Sequence, residues 1–501
     1  MIIAHKVYDQ LVEHIQKIAD LQHATAVLHW DKEVNLPAKS AEGRSRQIAT
    51  LDGMAHQLFV SSKTKELLGA LEAQYTQLEE KEKRNVALIH RDFERANKLD
   101  EAFVMRRSRL ISEGYHAWLK ARQENDFSLF APALTELVEL KKEEAEQMGY
   151  TEHPYDALLD EFEPGYRSSK LDILFTEVRR QLVDFAAAIR EKEQVDDRFL
   201  HQHYADQKQW DFGLDLLRRI GYDFDYGRQD RSPHPFTITF NSRDVRVTTI
   251  VDEGNLASMV WSCIHEGGHA LYEQGLPFEQ YGMPLGTAVS LGIHESQSRL
   301  WENNVGRSRT FWETHLSLAK EYFQGQLASV DLDQFFKGIN KVFPSPIRIE
   351  SDELHYHFHI MVRYEIEKAL IEGSLTVKEI PSVWNQKYKD YLGLDIKGDN
   401  EGCLQDIHWA HGSIGYFPTY SLGSFYAAQF FAQAEKDLPN LTEQMAKGDT
   451  SKLLTWLRQN IHQYGRRYEA DELCERITGE PLNFNYFMEY VRKKYKTIYG
   501  L

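Results

Sequence analysis

The residues with the clearest chemical potential are His265, Glu266 and His269. They are the fixed points of an H-E-x-x-H segment within ASMVWSCIHEGGHALYEQG, residues 257–275. Leu256, Val260, Ile264, Gly267 and Leu271 recur at three- and four-residue intervals, a stripe that predicts a helix. On that helix the histidines lie about 40° apart and one turn along, so both imidazoles reach one tetrahedral Zn2+. Glu266 falls in the neighbouring sector, where it can hold a water on the metal. The ion lowers the pKa of that water towards about 7, and the carboxylate takes its proton as it attacks a carbonyl. A chain rich in His and Glu can produce this pattern by chance, but two features weigh against that here. The segment lies in the most apolar helical pattern of its region, not on a charged face. It also places Gly267 and Gly268 inside a helix, each costing about 1 kcal/mol relative to Ala. Glycine there predicts the close approach of another backbone or of a substrate.

A catalytic zinc needs a third protein ligand and an open position. Glu273 follows His269 by four residues but lies eight from His265, about 12 Å along a helix, which is too far for one ion. The H-E-x-x-H-x-x-G-x-x-H pattern fails as well, because Tyr272 and Gly275 stand where Gly and His would be required. The ligand must come from another element. Glu295, in LGIHESQSRLWE (291–302), is the first candidate and Glu302 the second. His294 reads either as support for the ligands or as a core histidine, and Arg299 is placed to pair with Glu295. Cys263 would point about 200° from His265 and reads as packing.

The elements that must position these residues are mostly helical. Val7, Leu11, Ile15, Ile18 and Leu21 predict a helix at the start, and the pattern breaks at Pro37 and resumes. Residues 63–147 are strongly charged with helical periodicity, which reads as solvated helix faces; residues 1–165 are also candidates for a lid over a cleft. The stretch 152–165 breaks at Pro154, Pro164 and Gly165, and 171–194 is helical again. Residues 235–240 and 245–250 are β-branched and aromatic and predict a hairpin directly before the metal helix. Its edge could hold an extended peptide by backbone hydrogen bonds. Asp244, Arg246 and Thr248 alternate onto one face, where an internal ion pair and a hydroxyl holding the hairpin are as good a reading as a substrate contact. After a loop, 291–302 predicts a second site helix, so that 230–300 form one hairpin-plus-metal-site unit. The remainder is helical with loops at 343–347 and 395–423. The expected fold class is mainly α, one unit over residues 1–501 with a small sheet beside the active-site cleft.

Composition narrows the function. The 501 residues carry 59 basic and 76 acidic side chains, a net charge of −17 that argues against nucleic-acid binding. Cys263, Cys403 and Cys474 are too few for a disulfide framework, which fits a reducing compartment. The N-terminus reads as an amphipathic helix and not as a signal peptide, and no stretch approaches 18 uncharged apolar residues. The expectation is a cytoplasmic protein with no membrane partner.

Six ordered motifs together resemble the carboxypeptidase Taq family of zinc metallocarboxypeptidases over most of the chain. They are His234-Pro-Phe236, Asp244-x-Arg246-x-Thr248, His265-Glu-Gly-Gly-His269, His294-Glu-Ser-Gln297, Ile347-Arg-Ile-Glu-Ser-Asp352 and Gly402-x-x-Gln-Asp-x-His-Trp409. Trp30-Asp31 and Pro37 are similar too, while Ser351 stands where the family often has Ala. The resemblance implies His265, His269 and Glu295 as zinc ligands and Glu266 as general base. It also implies a two-lobed helical fold with a deep groove, similar to the neurolysin-like peptidases, and a homodimer. A carboxypeptidase must hold a free C-terminal carboxylate, a task suited to a planar Arg. Arg348 is the first choice, with Glu350 or Asp352 as its alternative ion-pair partners, and Arg246 is the second. His234 and His408 are further substrate-binding candidates, although His408 and Trp409 also read as loop anchors. The His411-to-Gly415-Tyr416 spacing resembles the His-x-x-x-Gly-Tyr loop of neurolysin-like peptidases and makes His411, Tyr416 and Tyr420 unranked candidates for stabilising the oxyanion. The expected function is release of single C-terminal residues from peptides with broad specificity. Zn2+ is the expected cofactor, one per subunit, and Co2+ a possible substitute. The alternatives are a zinc oligoendopeptidase and a non-catalytic helical binding protein with a structural zinc.

Overall fold

The computed structural model describes residues 2–501. Helices dominate, and the first runs from Ile2 to Val34, with Leu11, Ile15 and Ile18 on its buried side. Helices Ala41–Phe59, Ser62–Glu72 and Glu80–Lys98 follow. They and the first helix enclose an apolar cluster of their own, including Leu11, Leu68, Leu71 and Ile89. One residue from far along the chain joins it: Met283, from the loop after the metal helix. Helices Glu101–Glu124 and Ala131–Met148 belong instead largely to the main core, through Trp118, Leu134 and Val138. No helix among the described residues is long and apolar enough to cross a membrane.

The predicted hairpin is present as β2 (Thr237–Asn241) and β3 (Asp244–Thr249), antiparallel, with Ile238 opposite Arg246. A third strand, β1 (Gln229–Arg231), pairs parallel with β3, giving the order β1-β3-β2. Three polar residues carry no alternation signal, so β1 is invisible to the sequence pattern. Val245 and Val247 turn inward, while Asp244 and Arg246 alternate outward. Arg246 donates to Asp244 from Nε and Nη2 at 2.9 and 3.0 Å. Its guanidinium also lies 4.5 Å from the centre of the Trp30 ring, with Arg228 at 5.3 Å from the same ring, so the first helix is fastened to the hairpin by a cation–π stack.

The metal helix spans Leu256–Glu273, capped by the Asn255 side chain accepting from Ala257 N–H at 3.1 Å. Two expectations are adjusted downstream. The second site helix is α-helical over Leu291–Arg299 and then widens into a fully buried π-helical turn, Leu300–Gly306. The loop expected to extend to 423 ends at Phe417, because Pro418 opens a long helix to Asp437. Gly423 is therefore a helical glycine. It is small because the Glu295 side chain fills the space, with a Cβ there only 2.5 Å from Glu295 Cγ.

Candidate active site

Gly268 is the reason the helix of His265 and His269 can meet the helix of Glu295. A Cβ on it would stand 2.7 Å from Ser298 Cα and 2.8 Å from the Gln297 carbonyl oxygen, both backbone atoms of the second helix. Gly267 faces the tips of Ile220 and Leu217 instead. With the helices this close, Glu295 Oε2 lies 3.7 Å from His265 Nε2 and 3.4 Å from His269 Nε2. Ligand atoms about 2.0–2.1 Å from a tetrahedral zinc are roughly 3.4 Å apart, close to the two separations seen here. It is the single cluster among the described residues that brings three His, Cys, Asp or Glu donors within 4.8 Å of one another.

The groups behind the donors orient them. His265 Nδ1 bonds Glu302 Oε2 at 2.9 Å. A carboxylate only accepts, so Nδ1 carries a proton and Nε2 is the nitrogen left facing Glu295, as metal binding would require. Glu302, the second ligand candidate, thus lies behind His265, held there by Arg299 (3.2 Å) and Arg307 (3.1 Å). Burial depresses the His265 imidazole, but Glu295, Glu302 and Glu266 outweigh it and raise its pKa. Burial and the neighbouring His294 lower His269 to about 3, leaving it neutral with a lone pair to donate. Burial would raise Glu295, yet Arg299, His265 and His269 hold it well below the usual carboxylate range. Arg299 Nε donates to Glu295 Oε1 at 2.7 Å and leaves Oε2 for the cluster. Glu273 does not join; it bonds His294 Nε2 at 2.8 Å, and the His294 ring stacks on His269 at 4.4 Å.

Glu266 is buried beside the cluster. Thr237, at the start of β2, donates its hydroxyl to Glu266 Oε2 at 2.7 Å. Burial raises the Glu266 pKa, opposed by His265 and Thr237. Thr237 was not among the sequence candidates; its one signal was its place in the hairpin ahead of the metal helix.

The second half of the site is reached through Tyr356, in helix Tyr356–Glu372. The Arg299 guanidinium lies 4.4 Å from its ring centre, and its hydroxyl accepts from Arg348 Nη1 at 3.1 Å. Arg348 is buried, and its partner is Asp406, not Glu350 or Asp352: Nε and Nη2 reach Asp406 Oδ1 at 3.1 and 2.8 Å. Arg363 Nε holds the other oxygen at 2.6 Å. Burial would raise Asp406, but the two arginines keep it ionised far below the carboxylate range. Two guanidinium groups thus share one carboxylate, so these three groups together carry one net positive charge in a buried place. Arg348 uses three of its five N–H donors here, which leaves one on each terminal nitrogen.

Tyr416 and Tyr420 stand on this side, with ring centres 5.2 Å apart, and the Arg348 guanidinium lies 5.0 Å from the Tyr420 ring centre. Burial raises both hydroxyls, and the Glu295 charge adds to both shifts, so both feel the metal cluster. His408 Nε2 bonds the Tyr420 hydroxyl at 3.3 Å, and burial lowers His408 to about 3. The remaining candidates have contacts of their own. His411 stacks on Tyr115, Arg246 is engaged by Asp244 and Trp30, and His234 is exposed with its carbonyl accepting from Ser232. Trp409 anchors the loop by donating to Glu367 Oε1 at 2.9 Å.

Comparisons with known proteins agree with this architecture. The family model of the carboxypeptidase Taq (M32) metallopeptidases matches residues 10–495. The thermostable carboxypeptidase 1 of Thermus thermophilus is 40% identical over 98% of this chain and 99% of its own length. Carboxypeptidase 1 of Bacillus subtilis is 38% identical over 99% of both. The crystal structure of an M32 carboxypeptidase from Deinococcus radiodurans superposes with a TM-score of 0.97 at 38% identity, covering 99% of this chain and 100% of that one. The chain belongs to the carboxypeptidase Taq family and is a peptide hydrolase of the metallocarboxypeptidase class.

Proposed function

We propose that the protein is a zinc-dependent carboxypeptidase that releases single residues from the free C-termini of peptides with broad side-chain specificity. The observation that carries this reading is the juxtaposition of the His265–His269–Glu295 cluster with the buried excess charge of Arg348, Arg363 and Asp406, bridged by Arg299 and Tyr356. Zn2+ bound to the three donors, or Co2+ in its place, would supply a Lewis acid that acidifies water and polarises the scissile carbonyl. Glu266, held by Thr237, takes the proton of the attacking water and delivers it to the leaving amine. The two free N–H groups of Arg348 bind the substrate's terminal carboxylate as a pair, which neutralises the excess charge. Tyr416 and Tyr420, paired with ring centres 5.2 Å apart beside Arg348, are hydroxyl donors that stabilise the oxyanion. His411, stacked on Tyr115, is the third candidate for that role.

The N-terminal helices cover the groove, with the Trp30–Arg246 stack as their fastening. We place the protein in the cytoplasm on its three free, buried cysteines, and as a homodimer on the family resemblance. The test is product analysis on one peptide and its C-terminal amide, with chelator and then with zinc. Stepwise release from the free acid alone, lost on chelation and restored by zinc, is expected. Internal cleavage of both peptides would replace this reading with an oligoendopeptidase.

A further inference from the structure

Several parts of the site meet on one short segment that contacts no metal donor itself. Tyr155, in the short helix Pro154–Leu159, donates its hydroxyl to Glu367 Oε2 at 2.9 Å. The backbone of Leu158 and Leu159 lies so close to Gly415 that a Cβ there would stand 2.9 Å from it. The Phe162 ring meets Tyr416 edge-on at 5.2 Å, and the Phe162 carbonyl accepts from Leu291 N–H at 3.1 Å. The next residue, Glu163, has no exposed surface. The Ser290 hydroxyl donates to its Oε1 and Gly292 N–H to its Oε2, each at 2.8 Å. Both donors open the helix that carries Glu295, and Ser290 also caps that helix by accepting from Ile293 N–H at 3.1 Å. Gly292 must be glycine for the clasp to close, since a Cβ would sit 2.5 Å from Glu163 Oε2.

Among the described residues no cation pairs with Glu163. Burial pushes its carboxyl up to about 8, with Asp471 and Glu469 adding to the rise and the Ser290 and Gly292 donors opposing it. A buried carboxyl without a counter-ion destabilises the fold relative to an apolar side chain of the same size. What it contributes is a fixed pair of bonds at the start of a nine-residue helix. Farther along that helix, Glu295 is pressed against Gly423 and Ser298 against Gly268, so the helix is gripped on its sides and clasped at its end.

We propose that Glu163 is a positioning residue for Glu295: the clasp on Ser290 and Gly292 fixes the axial place and rotation of helix 291–299, and through it the Glu295 carboxylate relative to His265 and His269. The inference rests on the reading of Glu295 as a metal ligand. Gln in place of Glu163 keeps the length, an acceptor for Gly292 and a group that bonds the Ser290 hydroxyl, whereas Ala removes both bonds.

The experiment compares Glu163→Ala, Glu163→Gln, Ser290→Ala and Glu295→Ala with the wild type. Zn2+ affinity is read by competition with a chelating dye, the Co2+ visible spectrum reports ligand geometry, and metal-free thermal unfolding reports folding. Supports of metal ligands are worth roughly 10- to 100-fold in affinity. Glu163→Ala is expected to lose about that much and to shift the Co2+ spectrum. Glu163→Gln is expected to restore both. At saturating zinc, Glu163→Ala should lower kcat and leave KM unchanged. Ser290→Ala, which removes half of the clasp, should lose roughly tenfold and carries the test if Glu163→Ala does not fold. Wild-type affinity and spectrum in Glu163→Ala, or a Gln variant as impaired as the Ala variant, would overturn the proposal. An unchanged Glu295→Ala would overturn the ligand reading instead.

Discussion

Replacing Gly268 by Ala tests whether the proposed metal binding depends on backbone contact between the helix of His265 and His269 and that of Glu295. By helix propensity alone the substitution should stabilise the 256–273 helix by about 1 kcal/mol. The new methyl group would, however, meet Ser298 Cα at 2.7 Å and the Gln297 oxygen at 2.8 Å, where ordinary contact begins at 3.4 Å. Neither atom belongs to a side chain that can rotate away, so the helices must separate by about 0.7 Å or tilt by an equivalent amount. Metal–ligand distances tolerate about 0.2 Å, so the three donors can no longer share one ion at full strength. Overpacking of this kind costs about 1–3 kcal/mol, partly offset by the propensity gain. The expected outcome is a folded protein, about 1 kcal/mol less stable without metal, whose Zn2+ affinity falls at least tenfold. Gly267→Ala is the matched control. Its methyl group meets only Ile220 Cδ1 and Leu217 Cδ2, the ends of flexible side chains, so Zn2+ affinity should stay within about threefold of wild type. Chelator competition and thermal unfolding of the metal-free proteins measure both quantities. Equal affinity in Gly268→Ala and wild type would refute the reasoning, because the contact would then have yielded without moving a ligand.

Three further outcomes are expected. Glu302→Gln leaves the three donors in place but weakens the group that fixes the His265 tautomer, so Zn2+ affinity should fall roughly 10- to 100-fold by competition assay. Asp406→Asn should leave metal content unchanged and raise KM for free-acid peptides about tenfold or more in steady-state assays, because Arg348 and Arg363 lose the carboxylate that orients them. Burial pushes the Glu367 carboxyl up to about 7, above the unfolded carboxylate value, with Gly415, Trp409, Tyr155 and Arg363 opposing. Its contribution to stability is therefore complete below about pH 4.3 and is lost as the pH rises through 7, so Glu367→Gln in the metal-free protein should flatten the thermal-stability profile over that window, by up to about 3 kcal/mol.

What was legible in the sequence is what one element encodes by itself. His265, Glu266 and His269 sit on one helix, so their spacing alone fixes their relation, and the hairpin follows from alternation within two short runs. Glycine inside the metal helix correctly signalled a close backbone, and Gly268 meets one. The same residue type misled at Gly423, where a close approach inside a helix was read as part of a loop. The partners that orient the site were not legible, because their contacts join distant elements. Thr237 finds Glu266 across 29 residues, Arg348 finds Asp406 across 58, and Glu163 finds Ser290 across 127. Nothing local to any of these six residues specifies its partner. The ion pairs first considered for Arg348 were its sequence neighbours, but Ser345 takes up Glu350 and His355 takes up Asp352.

Met283 has a mechanical consequence. The loop that carries it leaves the helix of His265 and His269 and leads into the helix of Glu295, yet its side chain is buried in the cluster formed by the N-terminal helices. Gly282 (φ +77°) lets the loop lie against Gln16 and Ala19 of the first helix. The rest of that seam includes ion pairs such as Arg84–Glu469, Arg95–Asp160 and Arg466–Asp92, of the partly exposed kind that salt screens readily. The loop is thus a tether with one greasy end. Parting the N-terminal helices from this loop would expose the Met283 side chain to water, at a cost of about 1.5–3 kcal/mol. The N-terminal helices are thus joined, through one buried side chain, to the span of chain between the two histidines and Glu295.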